Sequence, residues 1–378
     1  MAETVFRNAK IVLPDEVIEG SVHAVDGMIA AIDAGSSTPG EDFGGDYLIP
    51  GLVELHTDSL ENHYRPRPGV YWNPLGALQA HDVQIAGSGI TTVFDSVRIG
   101  SDPEAPGMGA HVQILIDAIS TAMTNGQLRA DHMVHLRCEL PTHDVVDEFE
   151  RLVDLPLVRL ASVMDHTPGQ RQYQTVSKYV QYYKERMRFN DAEMDAFIAE
   201  RHKEQALYSD KHRKAILKRG LSAGIAFASH DDATEAHVAE SVEDGVSIAE
   251  FPTTLIAAER SHQAGLATLM GAPNVVRGGS HSGNIAAVDL AREGCLDILS
   301  SDYIPAALLH AAFMLPAAAD NISLPDAIRM VGATPAKAAH LTDRGEIAIG
   351  KRADIVRVRL HGEMPVVKGV WRQGERVS

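Results

Sequence analysis

Cysteine is almost missing from this chain. Cys138 and Cys295 are the only two among 378 residues, and both lie in apolar stretches far apart. They read as reduced core residues, so no disulfide framework is expected and a cytoplasmic setting is the default. Long apolar runs are also lacking, and Met1-Ala2-Glu3 does not open like a signal peptide, so no membrane span and no membrane partner are expected. Positive charge is in deficit: 34 Lys and Arg stand against 51 Asp and Glu, a formal net charge of −17. That field argues against non-specific nucleic-acid binding. It also requires any polyanionic substrate to be held by a local cluster of arginine and metal charge. Low-complexity segments and short-period repeats are absent.

A chain of this length accommodates a (β/α) barrel with a small accessory domain, or two ordinary domains. Residues 4–48 alternate short apolar runs with turns, and Asp26-Gly27 between two such runs is a strong hairpin signal. Alternation returns at 354–360 and 366–371. Two all-β ends predict one small β-sandwich built from residues 1–48 and 345–378. Residues 49–344 instead repeat strand and helix patterns, with strands near 52–56, 91–96, 133–139, 158–165, 224–229, 247–252, 268–276 and 296–300. Eight such units predict an α/β architecture, a (β/α)8 TIM-type barrel. An insertion at 171–220 lacks strand character and shows helical spacing at Val176, Val180, Tyr183 and Met187. Within it, Asn190 with Glu193 resembles a capping box. The insertion reads as a solvated arm or a contact in a homodimer; the alternative is a lid that carries Lys178 or Arg171 over a substrate.

The chemistry concentrates at strand ends. The segment from Ile49 to Asp58 reads as a short buried strand ending in His56-x-Asp58. Residues i and i+2 of a strand share a side, so this imidazole and carboxylate aim at one point. Four later strands end in Glu139, His166, His230 and Asp302. Singly, each has an ordinary explanation as a satisfied polar residue or a helix N-cap, and Asp165, Asp231 and Asp232 are read that way or as supporting partners. A barrel, however, brings all strand ends to one mouth. Three imidazoles and three carboxylates suffice for one or two divalent ions, zinc by preference, with manganese, iron or nickel as alternatives. Two ions would share a hydroxide and polarise a phosphoryl or carbonyl oxygen. Glu139 is the expected bridge, and Asp302 the expected acceptor of the proton from the attacking water.

Three loops after these strands are basic or glycine-rich: Arg65-Pro66-Arg67-Pro68-Gly69, Pro168-Gly169-Gln170-Arg171-Gln172 and Arg277-Gly278-Gly279-Ser280-His281-Ser282-Gly283-Asn284. The last suits anion binding through backbone N–H groups, although it lacks the ending of a Walker A loop. Arg65, Arg67, Gln170, Arg171, Arg277, Ser280, His281 and Asn284 are therefore expected to contact a small phosphorylated substrate. His281 either protonates a leaving group or only hydrogen-bonds a phosphate.

The residues so assembled resemble a known superfamily. Pro50-Gly51 ahead of His56-x-Asp58, and Gly350-Lys351-Arg352-Ala353-Asp354 near the C-terminus, resemble the amidohydrolases. Longer motifs are similar to the diphosphatases of the carbon–phosphorus lyase pathway within that superfamily. They include Glu54-Leu55-His56-Thr57-Asp58, His135-Leu136-Arg137-Cys138-Glu139-Leu140-Pro141, Met164-Asp165-His166, Ala228-Ser229-His230-Asp231-Asp232 and Ile298-Leu299-Ser300-Ser301-Asp302-Tyr303. The resemblance spans essentially the whole chain. It implies a bacterial, cytoplasmic, metal-dependent enzyme that hydrolyses α-D-ribose 1-methylphosphonate 5-triphosphate. Water attacks the α-phosphorus, pyrophosphate leaves and the 5-phosphate ester remains. Many binuclear amidohydrolases carry His-x-His and a carboxylated lysine; here His56-x-Asp58 and Glu139 stand instead, which leaves the count at one metal or two. A hydrolase of cyclic amides or nucleobases is the alternative, disfavoured because a neutral ring has no need of Arg65, Arg67, Arg171 and Arg277. A non-catalytic scaffold is disfavoured by ligand-type residues at all five strand ends.

Overall fold

The computed structural model describes residues 3–35, 39–101, 109–171, 179–180, 183–184, 189–280 and 283–378. Five short strands come first: β1 (Glu3–Val12), β2 (Val17–Val25), β3 (Met28–Ala34), β4 (Glu41–Asp42) and β5 (Tyr47–Pro50). Eight follow in the middle of the chain: β6 (Leu52–Thr57), β7 (Ile90–Ile99), β8 (Asp131–Glu139), β9 (Val158–Met164), β10 (Ala226–His230), β11 (Ile248–Glu250), β12 (Ala267–Gly271) and β13 (Ile298–Ser300). The chain closes with β14 (Ile355–His361), β15 (Met364–Arg372) and β16 (Glu375–Arg376).

The terminal strands form a single mixed sheet in the order β16-β15-β14-β5-β1-β2-β3, with β4 paired to β1. Asp26 and Gly27, both at positive φ, make the expected two-residue hairpin between β2 and β3. Flat, this sheet would hold β1 and β15 about 14 Å apart, three strand spacings. Yet the Phe6 and Trp371 rings, one on each, have centroids 5.1 Å apart. The sheet therefore curls over its own apolar face, closing on Phe6, Ile11, Phe43, Leu48, Ile355 and Trp371. The expected sandwich is one folded sheet. It also reaches further than expected, because residues 47–50 pair with β1 and β14. The single strand read from Ile49 to Asp58 is thus broken at Gly51. A Cβ at Gly51 would sit 2.1 Å from Thr91 Oγ1, so only glycine passes there.

The middle strands form the predicted (β/α)8 barrel: eight parallel strands in the sequential order β6 to β13, with Thr57 bridging Asp302 to join last strand to first. Strand boundaries follow the sequence reading to within three residues except at 268–276. There β12 stops at Gly271, because Pro273 favours the first turn of the helix Ala272–Arg277. The insertion contains the 32-residue helix Asp191–Ser222, opened by the Asn190–Glu193 capping box. Its C-terminal half buries Ser209, His212, Arg213, Ile216, Leu217 and Gly220, the i, i+3, i+4 spacing of one face. Near its start, Met194 packs with Tyr179, Val180 and Tyr183, whereas Val176, Lys178 and Met187 lie outside the described residues. Among the described residues no helix is long and apolar enough to cross a membrane. The chain divides into two compact units, residues 1–95, 118–133 and 269–378 in one, residues 96–117 and 134–268 in the other.

Candidate active site

In the second unit, strand register places the ligand-type residues. β10 and β11 run parallel with His230 opposite Glu250, and β8 pairs β9 with Glu139 opposite Met164, two residues before His166. His230 Nδ1 donates to Glu250 Oε2 at 2.6 Å. His166 Nδ1 donates to Glu139 Oε2, also at 2.6 Å. Arg98 Nη2 lies 2.8 Å from that same oxygen and 2.9 Å from His166 Nδ1; two donors cannot satisfy each other, so the carboxylate is the shared acceptor. With Nδ1 protonated on both rings, each Nε2 carries a lone pair. A carboxylate behind a histidine is the usual way a metal-binding imidazole is oriented.

Asp231 completes the group. Its Oδ2 is buried without a hydrogen-bond partner, 3.4 Å from His230 Nε2 and 3.8 Å from His166 Nε2. Ligands about 2.1 Å from a tetrahedral ion stand about 3.4 Å from one another. The donor set and its spacing thus fit a divalent metal. Burial pushes the Asp231 carboxyl above its ordinary range, and the Glu250 charge adds to the push. Burial would also raise Glu139, but the Arg98 charge and the hydrogen bonds from His166 outweigh it and hold that carboxyl well below the usual range. Both Glu139 oxygens are engaged, Oε1 by the His166 backbone N–H at 3.1 Å. In this arrangement Glu139 orients His166.

In the first unit, His56, Asp58 and Asp302 bring one donor atom each within 4.8 Å of one another. Backbone pairing explains it: Asp302 N–H donates to His56 O at 3.0 Å, and Asp58 N–H donates to Asp302 O at 3.1 Å. Asp58 occupies a helix N-cap position but makes no capping hydrogen bond. Glu54, fully buried, accepts from the His56 and Ser301 backbone N–H groups at 2.6 and 2.5 Å. Burial pushes its carboxyl up to about 8, so it is largely protonated below that pH. Asp231, Phe251 and Asp302, each just after a barrel strand, have φ near +55°. Such backbone costs roughly 1–3 kcal/mol per residue and concentrates where function demands it.

Another histidine group in this unit is of a different kind. His81 Nε2 and His132 Nδ1 each donate to Asp95 at 2.7 Å, and His132 Nε2 donates to Asp82 at 3.3 Å. Contacts of 2.7 Å are hydrogen bonds, too short for two ligands of one ion. His132, donating through both nitrogens, is a buried imidazolium.

The expected substrate residues are placed unequally. Arg277, the last residue of helix Ala272–Arg277, and Arg67 are exposed; Arg65, Gln170, Ser280 and Asn284 are half-buried, and Ser280 Oγ accepts from Asn284 N–H. His281 lies outside the described residues. Arg171 is buried, and its guanidinium pairs with Asp232 and with Glu240 at 2.9 Å. It fixes the loop after His166. Asp165 does the same from the other side, accepting from Thr167 N–H, Gln205 and Ser209. The sequence reading gives no role to Arg98, Glu54 or Glu250, and reads Asp231 as a cap or a supporting partner. The signals were present: an acid inside the apolar run Leu52-Val53-Glu54-Leu55, and another closing the short strand β11.

Comparison with known proteins bears on the family and the fold. The sequence profile of the amidohydrolase family matches residues 61–377. Over 376 residues the chain is 46% identical to α-D-ribose 1-methylphosphonate 5-triphosphate diphosphatase of Escherichia coli K12, covering 99% of this chain and all of that one. Among solved structures it is similar to 5-methylcytosine deaminase from Klebsiella pneumoniae, with a TM-score of 0.65, 14% identity and coverage of 99% and 98% of the two chains. N-acetylglucosamine-6-phosphate deacetylase from Pasteurella multocida gives a TM-score of 0.64 at 14% identity, covering 99% of each chain. At such identity these two speak for the fold alone. Fold, strand-end donors and profile agree: the chain belongs to the amidohydrolase family.

Proposed function

We propose that this protein hydrolyses α-D-ribose 1-methylphosphonate 5-triphosphate to the 5-phosphate and pyrophosphate. The observation that carries the reading is the pair of carboxylate-backed imidazoles, His166 and His230, beside Asp231, whose Oδ2 makes no hydrogen bond. It stands in a chain 46% identical, end to end, to a diphosphatase named for that substrate. His166, His230 and Asp231 would hold one divalent ion, and His56, Asp58 and Asp302 a second, zinc by donor type. Bound there, such an ion supplies an acidified water and polarises a phosphoryl oxygen.

The chain's own residues do the rest. Glu139 and Glu250 keep the Nδ1 protons of His166 and His230, so each ring presents Nε2. Asp302 receives the proton released by the attacking water at a carboxylate oxygen. Arg65, Arg67, Gln170, Arg277, Ser280 and Asn284 hold phosphate oxygens against the net charge of −17. His281 either protonates the departing pyrophosphate or hydrogen-bonds it. Arg171 leaves this set, because Asp232 and Glu240 already engage it.

The test is ³¹P NMR of the metal-loaded protein with this substrate in ¹⁸O water. Pyrophosphate, with the isotope in the sugar 5-phosphate, is expected. Stepwise release of inorganic phosphate would make the enzyme a general phosphatase. No turnover with any of the candidate metals would sink the reading.

A further inference from the structure

Two of the three metal-type donors in the second unit adjoin an aspartate in the chain. Asp165 precedes His166, and Asp232 follows Asp231. Both aspartates are buried, and residues of the insertion hold each of them. Asp165 Oδ2 accepts from Gln205 Nε2 at 3.2 Å and from Ser209 Oγ at 3.0 Å, both on the helix Asp191–Ser222. Its Oδ1 accepts from Thr167 N–H at 3.0 Å, so this carboxylate brackets His166.

Asp232 is reached from both ends of the insertion. Arg171, at its start, pairs with Asp232 Oδ1 and with Glu240. Ser241 Oγ donates to Asp232 Oδ2 at 3.2 Å and accepts at 3.4 Å from Nη2 of Arg213, late in the long helix. Arg213 is fixed in turn by Asp244 at 2.6 Å. The backbone is held as well, since Asp232 O accepts from Thr253 N–H at 2.9 Å. Arg171 and Asp231 have φ of +36° and +56°. Residues other than glycine keep such backbone only where their surroundings over-determine it.

We propose that the insertion is a frame for the metal site. Through Asp165 and Asp232 it sets where His166 and Asp231 stand, so the affinity for the ion depends on its docking. Arg171, Gln205 and Ser209 are positioning residues in this scheme, and Arg171 anchors the frame without reaching over a substrate. The inference rests on the metal site of the proposed function and is independent of the reaction. A helix docked only for stability could grip the barrel anywhere along its length. This one grips two buried carboxylates, each next to a donor. Linkage makes the coupling reciprocal: if docking favours the ion, the ion favours docking by the same factor.

Cobalt(II) titrated into the full-length apoprotein tests this without turnover, because its visible spectrum reports ligand geometry as well as affinity. Arg171→Met is expected to weaken one bound Co²⁺ by roughly tenfold, the low end for loss of a partner that orients a ligand, and to alter its absorption band. That variant strands a buried carboxylate and risks misfolding. Gln205→Met combined with Ser209→Ala disturbs no ion pair and is expected to shift affinity and spectrum in the same direction. Variants that lose Tm but keep the wild-type affinity and spectrum would make these residues structural and overturn the proposal. Hydrogen exchange reads the reciprocal effect. In the wild type, Co²⁺ is expected to slow exchange in Asp191–Ser222 more than in the helix Leu255–Gln263 of the same unit, and the variants are expected to lose that excess. Equal slowing in both helices is global stabilisation and would overturn the coupling. A wild type that binds no Co²⁺ would discard the metal site and this inference together; binding that the variants leave unchanged would discard the inference alone.

Discussion

At the scale of single residues, the second unit separates groups that hold a ligand from groups that aim them. Glu250 belongs to the second kind, since its carboxylate takes the Nδ1 proton of His230. Glu250→Gln is expected to weaken metal affinity by roughly 10–100-fold, the usual effect of losing such a partner. Calorimetric titration of the apoprotein reads this directly, and an unchanged affinity would remove Glu250 from that role. Asp231 makes the contrasting case. Its carboxylate is buried and its Oδ2 has no hydrogen-bond partner, so in the apoprotein it costs stability. Asp231→Asn should leave the apoprotein's Tm equal or higher while abolishing its rise on metal addition. A lower apoprotein Tm would mean that Asp231 is structural.

At the scale of elements, the junctions between strands carry the constraints. Gly51 separates the terminal sheet from the barrel, where a Cβ would fall 2.1 Å from Thr91 Oγ1 and 2.9 Å from Asp354 Cβ. Gly51→Ala is expected to destabilise the protein by about 1–3 kcal/mol, the cost of overpacking a dense interior, read as a lower urea midpoint at unchanged slope. The sequence around this junction shows why legibility differs from place to place. The alternation of strand and helix and the Asn190–Glu193 box are local signals and were readable. So was the clustering of His56, Asp58 and Asp302, a property of strand ends. The break at Gly51 was not, because 47–50 and 52–57 are both apolar and only their partners distinguish them. The pairing of His230 with Glu250 was hidden for a similar reason. It depends on the register between two strands whose ends lie 20 residues apart in the chain.

At the scale of the whole molecule, buried charge sets the response to pH. The His132 imidazole is pushed up from 6.5 to about 9: burial opposes the charged form, but Asp95 and Asp82 outweigh it. Asp95 and Asp82 are themselves held below 3.8 despite burial, with His132, His81 and Arg129 as partners; His63 lies beside His81. A raised histidine contributes stability that is complete below about 6.5 and is lost as pH rises through about 9. The depressed carboxylates contribute above about 4 and fade on acidification. The Tm is therefore expected to peak between about pH 5 and 6.5 and to fall toward pH 9, with His132→Gln flattening the alkaline limb. A profile level from pH 6 to 9 in the wild type would contradict this. Metal removal adds a separate term: because an ion binds only the folded state, chelation should lower Tm, by more at higher prior metal concentration. By itself, the sequence determined the barrel, the two β ends and the strand-end donors, because apolar period and residue type are local properties of a chain. Tertiary structure alone decided that Arg171 turns to Asp232, that Glu139 and Glu250 stand behind histidines, and that Asp231 carries a buried unpartnered oxygen. Those facts depend on which carboxylate a side chain meets across space, and no spacing along the chain encodes that.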